Sequence, residues 1–81
     1  MITRDAIESA YCFFHQKQRI YQYSILDWQK DDIEMAVADY AEGMNKELYC
    51  EISEGKENFL YDHATFATDI TNAVERLEQL L

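Results

Sequence analysis

From residue 3 onward, apolar side chains recur at intervals of three and four, the repeat of a helix with one buried face. In the first segment Ile7, Ala10, Tyr11, Phe14 and Tyr21 form a stripe, widened on one flank by Phe13 and Ile20. Thr3 is a suitable N-cap ahead of it, Asp5 complements the positive end of the helix dipole, and Ile2 and Ile7 occupy the two positions of a hydrophobic staple. Lys17 and Arg19 suit the negative end, which puts this helix at about residues 3–21.

After a short connection containing Ser24, Asp27 offers an N-cap for a second helix over about 28–42. Ile33, Ala36, Val37, Tyr40, Ala41 and Met44 mark its inner side, Asp31, Asp32, Asp39 and Glu42 its outer side, and Gly43 is placed to stop it in a left-handed C′ conformation. Asn45 caps a third, short helix over about 46–54, with Leu48, Tyr49 and Ile52 inside and Gly55 as its stop. Two turns of helix are marginal in water, so this element depends on packing. The last segment reads as one long helix over about 57–81, because Phe59, His63, Phe66, Ile70, Ala73, Val74, Leu77, Leu80 and Leu81 keep one stripe. The alternative is a break near Asp62, with Asp62 or Asp69 capping a new helix.

These elements predict an all-α fold, a compact bundle of three to four helices forming a single domain over residues 1–81. Composition agrees. Apolar residues make up 48% of the 81 and aromatics 14%, enough to build a core, and the chain has no proline and only two glycines to interrupt helices. There is no internal repeat and no low-complexity stretch. No apolar run approaches the roughly 20 residues that cross a bilayer, and residues 1–5 do not begin a secretory signal. Cys12 and Cys50 are therefore expected as reduced thiols in a cytoplasmic protein.

The net charge of −9 is unevenly spread: residues 1–30 hold four bases and three acids, residues 31–81 three bases and thirteen acids, or −10. Acid on that scale repels phosphates and anionic lipid, so neither direct nucleic-acid binding nor membrane binding is expected. A helix-turn-helix reading of the first two helices fails for the same reason, since the second would carry Asp31, Asp32, Glu34, Asp39 and Glu42 into the groove.

The segments Ala10-Tyr11-Cys12-Phe13-Phe14-His15-Gln16-Lys17, Asp27-Trp28-Gln29-Lys30-Asp31-Asp32-Ile33-Glu34 and Phe59-Leu60-Tyr61-Asp62-His63 resemble a group of small uncharacterised bacterial proteins. The resemblance covers most of the chain. It implies a compact bacterial domain, and no activity or functional residue comes with it.

Candidate chemistry is sparse. Glu8, Cys12, His15 and Arg19 share the polar face of the first helix, and carboxylate, thiolate and imidazole are all zinc ligand types. Glu8 and His15 are, however, separated by about 10 Å of helix rise, too far for one ion. Cys12 and His15 alone make a weak metal pair and an equally weak nucleophile and base, with no cleft and no oxyanion donors implied around them. Asp31 and Asp32 are adjacent on a helix and point about 100° apart, so they do not converge on one proton. His63, on the apolar stripe, reads as a core histidine, with a pH-sensitive contact as the alternative. No motif asks for a metal or another cofactor.

The most suggestive feature is Trp28 with Met35, which by helical phase fall among Asp31, Asp32, Asp39 and Glu42. Large apolar groups rimmed by charge mark protein contact sites. The competing reading folds Trp28 back over the connection into the core. The expectation is a non-catalytic interaction or self-association module, a possible homodimer, with Trp28, Asp31, Asp32, Met35, Asp39 and Glu42 as the partner surface. An acidic nucleic-acid mimic that occupies a DNA-binding protein is the first alternative, and a metal-dependent enzyme using Cys12 and His15 the second.

Overall fold

A computed structural model describes residues 2–81. The described residues form four α-helices and one short 3₁₀ turn, with no strand: α1 (Arg4–Tyr23), α2 (Asp27–Gly43), α3 (Lys46–Ser53), the 3₁₀ turn (His63–Thr65) and α4 (Phe66–Leu80). α1 lies principally against α4 and also packs on α2, while α3 packs on α4.

Two of the expected helix-starting signals act as their chemistry dictates. Thr3 Oγ1 accepts the Ala6 N–H at 3.1 Å, and Asn45 Oδ1 accepts the Leu48 N–H at 3.1 Å. Ile2 and Ile7 are both half-buried against the core, as a staple requires. At other helix ends three expectations change. α1 runs to Tyr23, so Lys17 and Arg19 fall short of its last turn. Asp27 is the first residue of α2 and the cap position belongs to Leu26, which has no side-chain acceptor to offer. Gly43 ends α2 without entering the left-handed region, and the chain leaves through an extended Met44. After α3 the expected stop at Gly55 (φ 82°) does take left-handed backbone, shared with Glu54 (φ 52°) before it.

The core is built from Ala10 and Phe14 of α1, Ile33, Val37 and Ala41 of α2, Leu48 and Ile52 of α3, and Phe66, Ile70, Ala73, Val74 and Leu77 of α4. Phe14 meets Phe13 and Tyr40 edge to face, with ring centroids 5.5 Å and 5.3 Å apart. Phe13 stacks on Tyr40 at 4.1 Å, which joins α1 to α2. Gln18 Nε2 donates to Thr71 Oγ1 at 3.0 Å and joins α1 to α4. Ile20, expected on the flank of the α1 stripe, is instead exposed.

The largest departure from expectation is the segment before α4. Residues 57–62 are a set of turns, and the long helix over 57–81 does not form. Phe59 and Leu60 are consecutive and both buried. Asn58 (φ 56°) and Leu60 (φ 70°) adopt left-handed backbone, a conformation that costs about 1–2 kcal/mol for a residue such as leucine. The compensation comes from Asp69, in the first turn of α4 and only 1% exposed. Its carboxylate accepts the Leu60 N–H at 3.0 Å, the Thr65 hydroxyl at 3.2 Å and the Lys56 ammonium. Lys56 Nζ also donates to Thr65 Oγ1 at 2.8 Å, and the Tyr49 hydroxyl donates to the Phe59 carbonyl at 2.7 Å. Asp62 caps the 3₁₀ turn by accepting the Ala64 N–H at 3.0 Å. Arg76 reaches from α4 to the Glu51 carboxylate on α3.

Candidate functional site

Because α2 buries Ile33, Val37 and Ala41, its opposite face must meet solvent. Trp28 is 62% and Met35 66% exposed, and Asp31, Asp32, Asp39 and Glu42 are exposed beside them. Asp31 and Asp39 each lie four residues from Met35, and Asp32 lies four from Trp28, so the row occupies one helix face. Trp28 does not fold back into the core.

The structure adds residues that periodicity did not single out. Ile20, Tyr23, Ile25 and Leu26 are all exposed, Tyr23 by 73% and Ile25 by 88%. With Trp28 they place five large apolar side chains within nine consecutive positions, at the corner where α1 turns into α2. The corner's geometry follows from its hydrogen bonds. Ser24 closes α1 by donating its N–H to the Tyr21 carbonyl at 3.2 Å and its hydroxyl to the Ile20 carbonyl at 2.7 Å. Ser24 and Leu26 then take extended backbone, and Ile25 between them projects outward. An open depression of about 390 Å³ beside it is lined by Arg19, Ile20, Tyr23, Ser24 and Gln29. One signal for this corner was present in the sequence: an Ile25-Leu26 pair between two helices, off either stripe.

The other candidates disperse. Cys12 is exposed, and His15 stacks on Tyr11 with centroids 5.4 Å apart. Glu8 pairs with Arg4 at 2.9 Å. Among the described residues, Cys12 and His15 gather no third metal-ligand type around them. Asp31 and Asp32 stay on the solvated face.

No family model, curated protein or solved structure matches the chain. Function has to be read from this chain's own side chains.

His63 is not a core histidine. It opens the 3₁₀ turn, is exposed, and its Nδ1 lies 2.8 Å and 3.0 Å from the two Glu34 carboxylate oxygens. The sequence reading missed Glu34 as a partner, because placing His63 on an unbroken helical stripe pointed it at the core. The Glu34 hydrogen bond and charge raise the His63 pKa above its ordinary 6.5, outweighing the opposing effect of desolvation, and Asp31 and Asp27 add to the same upward direction. A raised folded-state pKa stabilises the fold fully below the unfolded value and loses that stabilisation as pH rises through the folded value. His63→Ala is therefore expected to lower the melting temperature in metal-free buffer at about pH 6 and to cost less at about pH 8.5. Thermal melts of both proteins at the two pH values check it; a difference independent of pH would contradict the pairing.

Among the described residues, no helix is long and apolar enough to cross a membrane.

Proposed function

We propose that this chain is a non-catalytic self-association module, in which the α1–α2 corner of one copy docks on the same corner of a second. The carrying observation is that Ile20, Tyr23, Ile25, Leu26 and Trp28, all within nine positions of the chain, are exposed to solvent. The largest apolar patch of an ordinary monomer covers about 300–600 Å², and one partner's share of a standard interface is about 800 Å². Five large side chains, two of them aromatic with about 150–250 Å² each, supply apolar surface of that order.

Charge argues for a second copy as the occupant. Between residues 17 and 30 the chain carries Lys17, Arg19 and Lys30 against Asp27 alone, while the acid begins at Asp31 and Asp32. This corner is thus the region where two copies of a −9 chain repel least. A two-fold arrangement, in which residue i meets j and j meets i, sets the bases of one corner toward Asp31 and Asp32 of the other. The outer face of α2, with Met35, Asp39 and Glu42, extends the rim. Exposed, unpaired Cys12 and Cys50 suit a reducing, cytoplasmic setting.

Sedimentation or light scattering across about 10–500 µM tests the proposal. The expected result is a rise from 9.6 kDa toward twice that mass, abolished by Ile25→Asp. A mass that stays at 9.6 kDa throughout, or a dimer that Ile25→Asp leaves intact, overturns it.

A further inference from the structure

We propose that Asp31, Glu34 and His63 form a binding site for a first-row divalent cation of zinc type, which shares only Asp31 with the rim of the docking corner. Asp31 and Glu34 stand three residues apart on α2, hence on neighbouring turns of one face. His63 arrives from a different segment, held by the 3₁₀ turn that Asp62 caps. One ligand atom from each residue lies within 4.8 Å of the other two. Donors about 2.0–2.1 Å from a tetrahedral zinc lie about 3.3 Å from one another, so movements on the order of 1 Å close the set around an ion. Three protein ligands leave one tetrahedral position for water.

A second observation asks for a cation here. The Glu34 side chain is only 15% exposed, and a carboxylate so far removed from water needs a compensating charge. Lys30, one turn away, is its natural helix partner. Its ammonium instead sits 5.9 Å from the centroid of the Tyr21 ring, and among the described residues His63 is the only partner within ion-pair distance of Glu34. Asp27 and Asp31 line the same small depression as His63 and Lys30, so further negative charge faces the imidazole. A proton on His63 brings one positive charge against the Asp31 and Glu34 carboxylates. A divalent ion brings two and neutralises both. The imidazole selects the chemistry: zinc and its neighbours accept mixed nitrogen and oxygen ligands, whereas calcium and magnesium take all-oxygen shells.

Calorimetric titration of the full chain with zinc chloride at about pH 7.5, in a non-chelating buffer, reads the site directly. The expected result is one ion per chain with Kd on the order of 10 µM, weakened about tenfold or more in His63→Ala and in Glu34→Gln. Cys12→Ser and a large excess of magnesium should leave it unchanged. Both His63→Ala and Glu34→Gln alter partly or fully exposed groups, and an unchanged circular dichroism spectrum establishes that they fold. Absence of saturable binding below about 1 mM overturns the proposal, as does equal affinity in His63→Ala or loss of binding in Cys12→Ser.

Discussion

Replacing Asp69 with alanine is expected to lower the stability of the domain by about 2–3 kcal/mol, and the melting temperature by on the order of 10–20 °C. Among the described residues the carboxylate is the acceptor of the buried Leu60 N–H, and it also holds Thr65 and the Lys56 ammonium. Removing one partner of a buried pair costs about 3–5 kcal/mol where both charges are shielded. The Lys56 side chain is 41% exposed and can return to water, which sets the expected loss below that range. Leu60 adds to the loss, because its left-handed backbone relies on the bond that disappears. Asp69→Asn should fall between the two, since an amide oxygen still accepts the Leu60 N–H while the charge on Lys56 goes unanswered. Thermal melts followed by circular dichroism give all three values. A loss under about 1 kcal/mol for the alanine variant would mean that packing of Phe59 and Leu60 alone holds the turn.

Phe14→Ala should cost more, about 3–5 kcal/mol. Its ring is fully enclosed and stands edge-on to Phe13 and Tyr40, so truncation removes apolar burial and two aromatic contacts and leaves a cavity between α1 and α2. A domain of this size retains about 4–12 kcal/mol in total at 0.05–0.15 kcal/mol per residue. The variant is therefore expected to be partly unfolded near 37 °C or to melt at least about 12 °C lower. Trp28→Ala provides the contrast. It removes an exposed ring and should move monomer stability by no more than about 0.5 kcal/mol. Denaturant titration of both proteins at a concentration too low for association separates them, and equal losses would mean that Trp28 belongs to the core after all.

Much of this fold was legible because helix starts are local events. Thr3 and Asn45 each satisfy an amide three residues on, and the Ile33, Val37, Ala41 row is buried as its spacing requires. The segment 57–65 was not legible for a specific reason. Phe59, His63, Phe66 and Ile70 are spaced by four, three and four, the same rhythm a helix produces, and here the rhythm is accidental. What separates turn from helix is Asp69, a carboxylate in the stripe's interval whose acceptors organise a chain segment nine residues earlier. Periodicity carries no information about such a long-range polar contact. The misreading then hid the cluster of Asp31, Glu34 and His63, because a histidine assigned to a core stripe is not looked for on the surface.

The proposed docking surface divides along the same line. Trp28 and Met35 could be placed outside by phase against Ile33 and Val37, since a helix has only one buried face. Tyr23, Ile25 and Leu26 had no such reference, because a residue at the end of a helix or in an extended connection has no fixed phase relative to the core. Their exposure depends on how Ser24 closes α1 and on the extended turn that follows.

Amide nuclear magnetic resonance on a dilution series of the ¹⁵N-labelled chain tests the docking corner most directly, since it reads each residue separately. The account predicts concentration-dependent shifts concentrated at residues 19–29 and along the outer side of α2, with α4 residues 72–79 silent. Spectra that superimpose from the lowest to the highest concentration would contradict it. So would shifts centred on α3 and α4.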